Sequence, residues 1–214
     1  LADRVSSKKE VRRRRRQEEK DRRARSARTQ NLLVWGGLAV IVAIAGLAVF
    51  QAVNPAAQPG TAVLDQGNQH VNSPDEVSSS LYNTVPPTSG PHMPSLAPWG
   101  VSTQPIANAF QIHNLEDGGV NMQYDCPDGC PELVEQLTAF ANEVLSDPSL
   151  IHPTTRSTHF ILAPYSGIRD ASGGKPIALT AWTRIQYFDT VDREEMLKFI
   201  RAYINIDHHV RGIG

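Results

Sequence analysis

The chain has 214 residues, 40% of them hydrophobic and 20% charged, and its 21 basic and 22 acidic side chains give a formal net charge of −1. That near-neutral total hides an asymmetry, because thirteen basic residues but only five acidic ones lie before position 32, leaving eight basic and seventeen acidic residues for the rest. A basic run that abuts an apolar one is explained by membrane topology and attraction to anionic lipid, and it requires no nucleic acid.

The apolar run Leu32 to Phe50 (LLVWGGLAVIVAIAGLAVF) carries no charge, and a helix of that length, rising about 1.5 Å per residue, reaches roughly the 30 Å of a bilayer core. It predicts one transmembrane helix over 32–53 behind a basic cytoplasmic tail over 1–31. The excess of Arg and Lys on the N-terminal side then places everything after the helix outside the cytoplasm. A cleaved signal peptide ending near Pro55, Ala56 and Ala57 is the competing reading, but its apolar core would run to only about 7 to 15 residues. Residues 54–80, rich in Pro, Gly, Asn, Gln and Ser without a hydrophobic period, are expected to be a tether, with order near Gln69 and His70.

The remainder, 81–214, is enough chain for one domain with its own core. Six prolines between Leu81 and Ala109 forbid long helix and central strand, which predicts an irregular wrap. Val120, Met122 and Tyr124 alternate with Asn121 and Gln123, the period of a half-buried strand. Pro131 opens a helix whose apolar positions Leu133, Val134, Leu137, Phe140, Ala141, Val144 and Leu145 recur at three and four residue spacing. Thr158 to Ala163 and Ile177 to Ile185 read as strands, and Asp192 with Glu195 as an N-terminal cap that opens a last helix. The resulting order is strand, helix, strand, strand, helix. It is an α+β arrangement that also fits the βαβ plus ββα order of a thioredoxin-like core, with Lys175–Pro176 where such folds carry a cis proline.

Chemistry concentrates in a few places. Both cysteines sit in CPDGCPEL at Cys126 to Leu133, close enough to form a disulfide or to offer paired thiolates. An oxidising compartment favours the disulfide. All seven histidines follow the apolar run. His92 ends SGPH, and His113 and Glu116, three residues apart, share one side if they lie on a helix. Imidazole with thiolate suits copper first and zinc second, so His92, His113, Cys126 and Cys130 form the expected metal set, with Glu116 or Asp117 completing or orienting it. His208 and His209, in a polar C-terminal stretch, are left out. No Gly-x-Ser-x-Gly elbow supports a hydrolase.

Three separated segments, PPTSGPH at Pro86 to His92, IHNLEDGGV at Ile112 to Val120 and PIALTAW at Pro176 to Trp182, together resemble an uncharacterised bacterial family, numbered 3105 among the domains of unknown function. Its members are typically tethered behind a basic tail and one membrane helix. The family pattern reads HNLEHGG, so Asp117 stands here in place of a second histidine, and an oxygen ligand there would harden a metal site against Cu(I). Locally, CPDGCP resembles the cysteine segment of the Sco copper chaperones, which are membrane-tethered and thioredoxin-like. The Sco resemblance, read with these imidazoles and thiols, implies metal binding or delivery to a membrane-bound recipient. Two alternatives stay open: a disulfide-stapled interaction domain docking on a membrane complex, and a thiol-disulfide oxidoreductase, for which three residues between the cysteines rather than two is unfavourable.

Overall fold

A computed structural model describes residues 35–38, 41–47, 50 and 58–209. The expected basic tail lies outside the described residues. Of the expected membrane span, the described residues are helical and exposed. Among the described residues no helix is long and apolar enough to cross a membrane.

The C-terminal unit is a mixed α/β domain built on a six-stranded sheet. Its strands are β1 (Thr61–Ala62), β2 (Gly100–Val101), β3 (Val120–Tyr124), β4 (Phe160–Pro164), β5 (Ile177–Ala181) and β6 (Arg184–Phe188). Its helices are α1 (Asn108–Glu116), α2 (Pro131–Ser146), the short α3 (Ile168–Ser172) and α4 (Arg193–Tyr203). The sheet order is β1-β6-β5-β3-β4-β2. β3 and β4 run parallel, with Val120 beside Phe160, as α2 crosses over between them, whereas β3 with β5 and β5 with β6 are antiparallel.

Alternation along the strands divides the domain into two faces. Val120, Met122, Phe160, Leu162, Ile177 and Leu179 point to the face covered by α2 and α4, where Leu137, Phe140, Met196, Phe199 and Ile200 complete the main core. At roughly 1.5–3 kcal/mol for each large apolar side chain removed from water, this face supplies most of the folding energy. The helix expected from Pro131 is observed with Pro131 at its first turn, and the Asp192 side chain accepts from the Glu195 backbone N–H as the expected cap. The opposite face holds α1 and the Pro-rich wrap over two smaller apolar clusters, one of Tyr82, Ile112, Leu115 and Trp182, the other of Ala97, Ile161 and Ala163.

Several elements differ from expectation. Ile177 to Ile185 is not one strand: it turns at Trp182 and Thr183 into the β5–β6 hairpin, with Thr183 in the left-handed region (φ 57°). No Gly, Pro or Asn marks that turn, so the sequence reads as continuous. The segment between the two expected strands contains α3. Residues read as tether include β1, which pairs with β6, and His70, which bridges to His92. The cis peptide among the described residues is Val85–Pro86, not Lys175–Pro176.

Candidate functional site

The sequence HNLEDGG folds into the last turns of α1 and its stop. Gly118, at φ +75°, and Gly119 send their backbone N–H groups back to the carbonyls of Leu115 and Asn114, the double bond of a Schellman ending, which requires a left-handed residue after the cap. Side chains are excluded at both glycines, since a Cβ on Gly118 would lie 2.7 Å from the Ile206 nitrogen and one on Gly119 would lie 2.5 Å from the Asn114 oxygen. Within the motif, Asn114 clamps the wrap by accepting from Ala97 N–H and donating to Ala97 O, each at 2.9 Å. Leu115 enters the apolar cluster. His113 and Glu116 are left facing the wrap.

The wrap delivers the partners. Tyr82 OH donates to the Pro91 carbonyl at 2.8 Å, and Gly90, φ +120°, packs against the Tyr82 ring. This seats His92 in the interior at 0% exposure. His92 N–H donates to Gln69 O and Val71 N–H donates to His92 O, so the two segments run side by side and bring His70 against His92.

The result is a cluster centred on one oxygen. Glu116, 1% exposed, directs Oε2 toward His92 Nε2 at 2.9 Å, His113 Nδ1 at 3.5 Å and His70 Nε2 at 3.6 Å. His92 Nε2 also lies 3.1 Å from His113 Nδ1. The other carboxylate oxygen accepts from Asn68 Nδ2 at 2.7 Å. His70, His92, His113 and Glu116 each offer a ligand atom within 4.8 Å of all the others, a group that could hold a metal ion. A second such group, His113, Asp117 and His209, shares His113.

Tautomer chemistry defines what the cluster lacks. His92 Nδ1 lies 2.9 Å from the Gly90 carbonyl, which can only accept, so Nδ1 carries a proton. Nε2 then faces the Glu116 carboxylate either as an N–H donor, in the imidazolium, or as a lone pair, in the neutral ring. Two acceptors at that distance repel unless a cation lies between them. Metal bonds of about 2.1 Å in a tetrahedron place donors about 3.4 Å apart, the range the cluster spans.

Burial and neighbouring charge set the protonation of His113 and Glu116. Burial lowers the His113 pKa, overcoming the pull of Asp117 and favouring neutral imidazole. Burial pushes the Glu116 carboxyl up, but the Asn68 hydrogen bond and the positive charge that His209 and His92 carry when protonated together hold it below its ordinary value.

Of the residues singled out by sequence, the structure brings together His92, His113 and Glu116. Asp117 lies beside them and belongs only to the second group. Cys126 and Cys130 are bonded to each other across a Cα–Cα distance of 5.7 Å and belong to neither group, so the expected mixture of sulfur and imidazole is replaced by imidazole and carboxylate. His70 was missed as a ligand because it sits in a stretch without periodicity. Only the order expected near Gln69 and His70 hinted at it. His209, set aside as part of a polar tail, reaches Glu116 Oε2 at 3.5 Å.

Fold and site together define a mixed α/β domain that carries a partly buried His3Glu group. Residues 70–211 match the family described as Protein of unknown function (DUF3105), and the chain belongs to that family. No curated protein and no solved structure matches the chain.

Proposed function

We propose that this is a membrane-tethered extracytoplasmic domain that binds a divalent transition metal through His70, His92, His113 and Glu116. The observation that carries the reading is the convergence of three imidazoles on one Glu116 oxygen, His92 Nε2 at 2.9 Å, His113 Nδ1 at 3.5 Å and His70 Nε2 at 3.6 Å, an arrangement that a shared cation stabilises. With the thiols joined in a disulfide, the donors are nitrogen and oxygen, which suits Cu(II) or Zn(II) and disfavours Cu(I). His70 is 43% exposed, so the group has an edge through which an ion or a recipient protein can approach.

The charge asymmetry around the apolar run and the disulfide both support the placement outside the cytoplasm. The strand order β6-β5-β3-β4, with a parallel crossover followed by a hairpin and helix, supports a thioredoxin-like core. In that core the disulfide stands at the start of α2. That position favours a second reading, in which the domain is a disulfide-stapled docking module and the histidines only tie the wrap to α1.

Metal stoichiometry separates the two. The full chain in detergent, stripped with chelator, reloaded with Zn(II) or Cu(II) and passed through gel filtration, is expected to retain one ion. His92→Ala and His113→Ala are expected to retain none. Wild-type protein that retains no ion would leave the stapled docking module in place.

A further inference from the structure

Residues 204–209 cross the C-terminal end of α1 as a strap. Asn205 N–H donates to Gly118 O at 2.7 Å and His208 N–H donates to Glu116 O at 2.8 Å. The His208 ring stacks on Trp182 at 5.9 Å and 20°, and the Ile206 backbone occupies the space that a side chain on Gly118 would need. Four separate contacts therefore fix the strap over the carboxylate that centres the cluster.

The strap ends in a histidine prepared as His92 is. His209 Nδ1 lies 2.7 Å from Asp207 Oδ1, so Nδ1–H donates to that carboxylate and Nε2 is the ring nitrogen left to face the cluster. Nε2 faces Glu116 Oε2 at 3.5 Å, the separation that His113 and His70 show from the same oxygen, and the ring meets His113 edge-on at 5.8 Å. A side chain that merely decorated the surface would not need an oriented ring with its Nε2 turned inward.

We propose that His209 is a further ligand of the metal site and that the strap controls how fast the ion exchanges. This rests on the metal-binding reading above. His70, His92, His113 and Glu116 select and hold the ion, while His209, 41% exposed, occupies the open edge and must leave before a chelator or recipient can take the metal. The bound ion then has two states, strap closed and strap open, with the second competent for transfer.

The test uses the full chain loaded with Co(II) for its visible spectrum and with Zn(II) for release to excess chelator. Wild type and His209→Ala are both expected to hold one ion. The variant should release Zn(II) at least about tenfold faster, the order of effect expected for a supporting ligand, and its Co(II) bands should intensify as the coordination number falls. Gly118→Ala, which displaces the strap without touching an imidazole, should also release faster. Release and spectrum unchanged in His209→Ala would overturn the strap while leaving the metal site intact. A wild-type chain that holds no ion would overturn both.

Discussion

Glu116→Gln separates a cation site from an ordinary buried ion pair by the sign of its effect on metal-free stability. If His92 were protonated and paired with Glu116, neutralising the carboxylate would leave a buried imidazolium alone, and loss of one partner of such a pair costs about 3–5 kcal/mol. If His92 Nε2 is a lone pair, the amide improves the metal-free protein. Its oxygen can keep the bond from Asn68 Nδ2, now 2.7 Å from Oε1, while its NH2 group replaces Oε2 and donates to His92 Nε2 across the present 2.9 Å. A hydrogen bond gained in place of a repulsion is worth about 1 kcal/mol, so the variant should melt at or slightly above wild type in chelator. With metal the order reverses. An ion at 100 times its Kd stabilises the native state by about 2.7 kcal/mol, and at roughly 2–4 °C per kcal/mol for a domain of this size the wild type should gain about 5 to 11 °C. The variant should gain little. Thermal melts by circular dichroism, with and without Zn(II) or Cu(II), read both effects. A variant several kcal/mol less stable than wild type in chelator, together with no metal shift in either protein, would refute the reasoning.

Replacing both cysteines with serine opens a loop of about five residues, for which chain entropy gives a loss of about 2 kcal/mol. The melting temperature of Cys126→Ser/Cys130→Ser should fall by roughly 4–8 °C while metal stoichiometry is unchanged, whereas a site using the thiolates would lose its ion. Alkaline titration followed by phenolate absorbance should be late: burial pushes Tyr82 up to about 12 and raises Tyr124, Tyr165, Tyr187 and Tyr203 as well. Because the raised pKa belongs to the folded state, stability should be retained up to about pH 10, the unfolded value, and lost as pH rises toward 12. Phenol ionisation at pH 10 equal to that of the unfolded chain would contradict this.

Periodicity made the main core legible. β3 and α2 follow from apolar spacing at two and at three to four residues, and the Asp192 cap follows from its chemistry, because each of these signals lies within one element. The site was only half legible. His113 and Glu116 share a helix that their spacing anticipated, and Gly118 and Gly119 supply its stop, but α1 itself lacks a clear apolar stripe since it is buried on several sides, through Gln111 and Asn114 as well as Ile112 and Leu115. His70 and His209 come from segments whose composition reads as linker and tail. Their positions depend on backbone pairing with the wrap and with α1, which local sequence does not encode. The cysteines drew the expected site toward sulfur because a close pair is conspicuous in sequence, while four candidate ligands spread from position 70 to position 116 are not.

The division of the domain into two faces bears on what the cluster does. The core between the sheet, α2 and α4 contains none of the imidazoles and should fold without them. The wrap, by contrast, has few apolar anchors, and it is tied to α1 by Asn114, by Tyr82 and by the histidines themselves. An ion shared between His70 of the segment beside the wrap, His92 of the wrap, and His113 and Glu116 of α1 would close a loop of more than forty residues, and binding energy of that kind becomes local folding energy. Metal should therefore order the face that presents the site while leaving the sheet and its main core unaffected. A recipient that removed the ion would then loosen the wrap and strap, not unfold the protein.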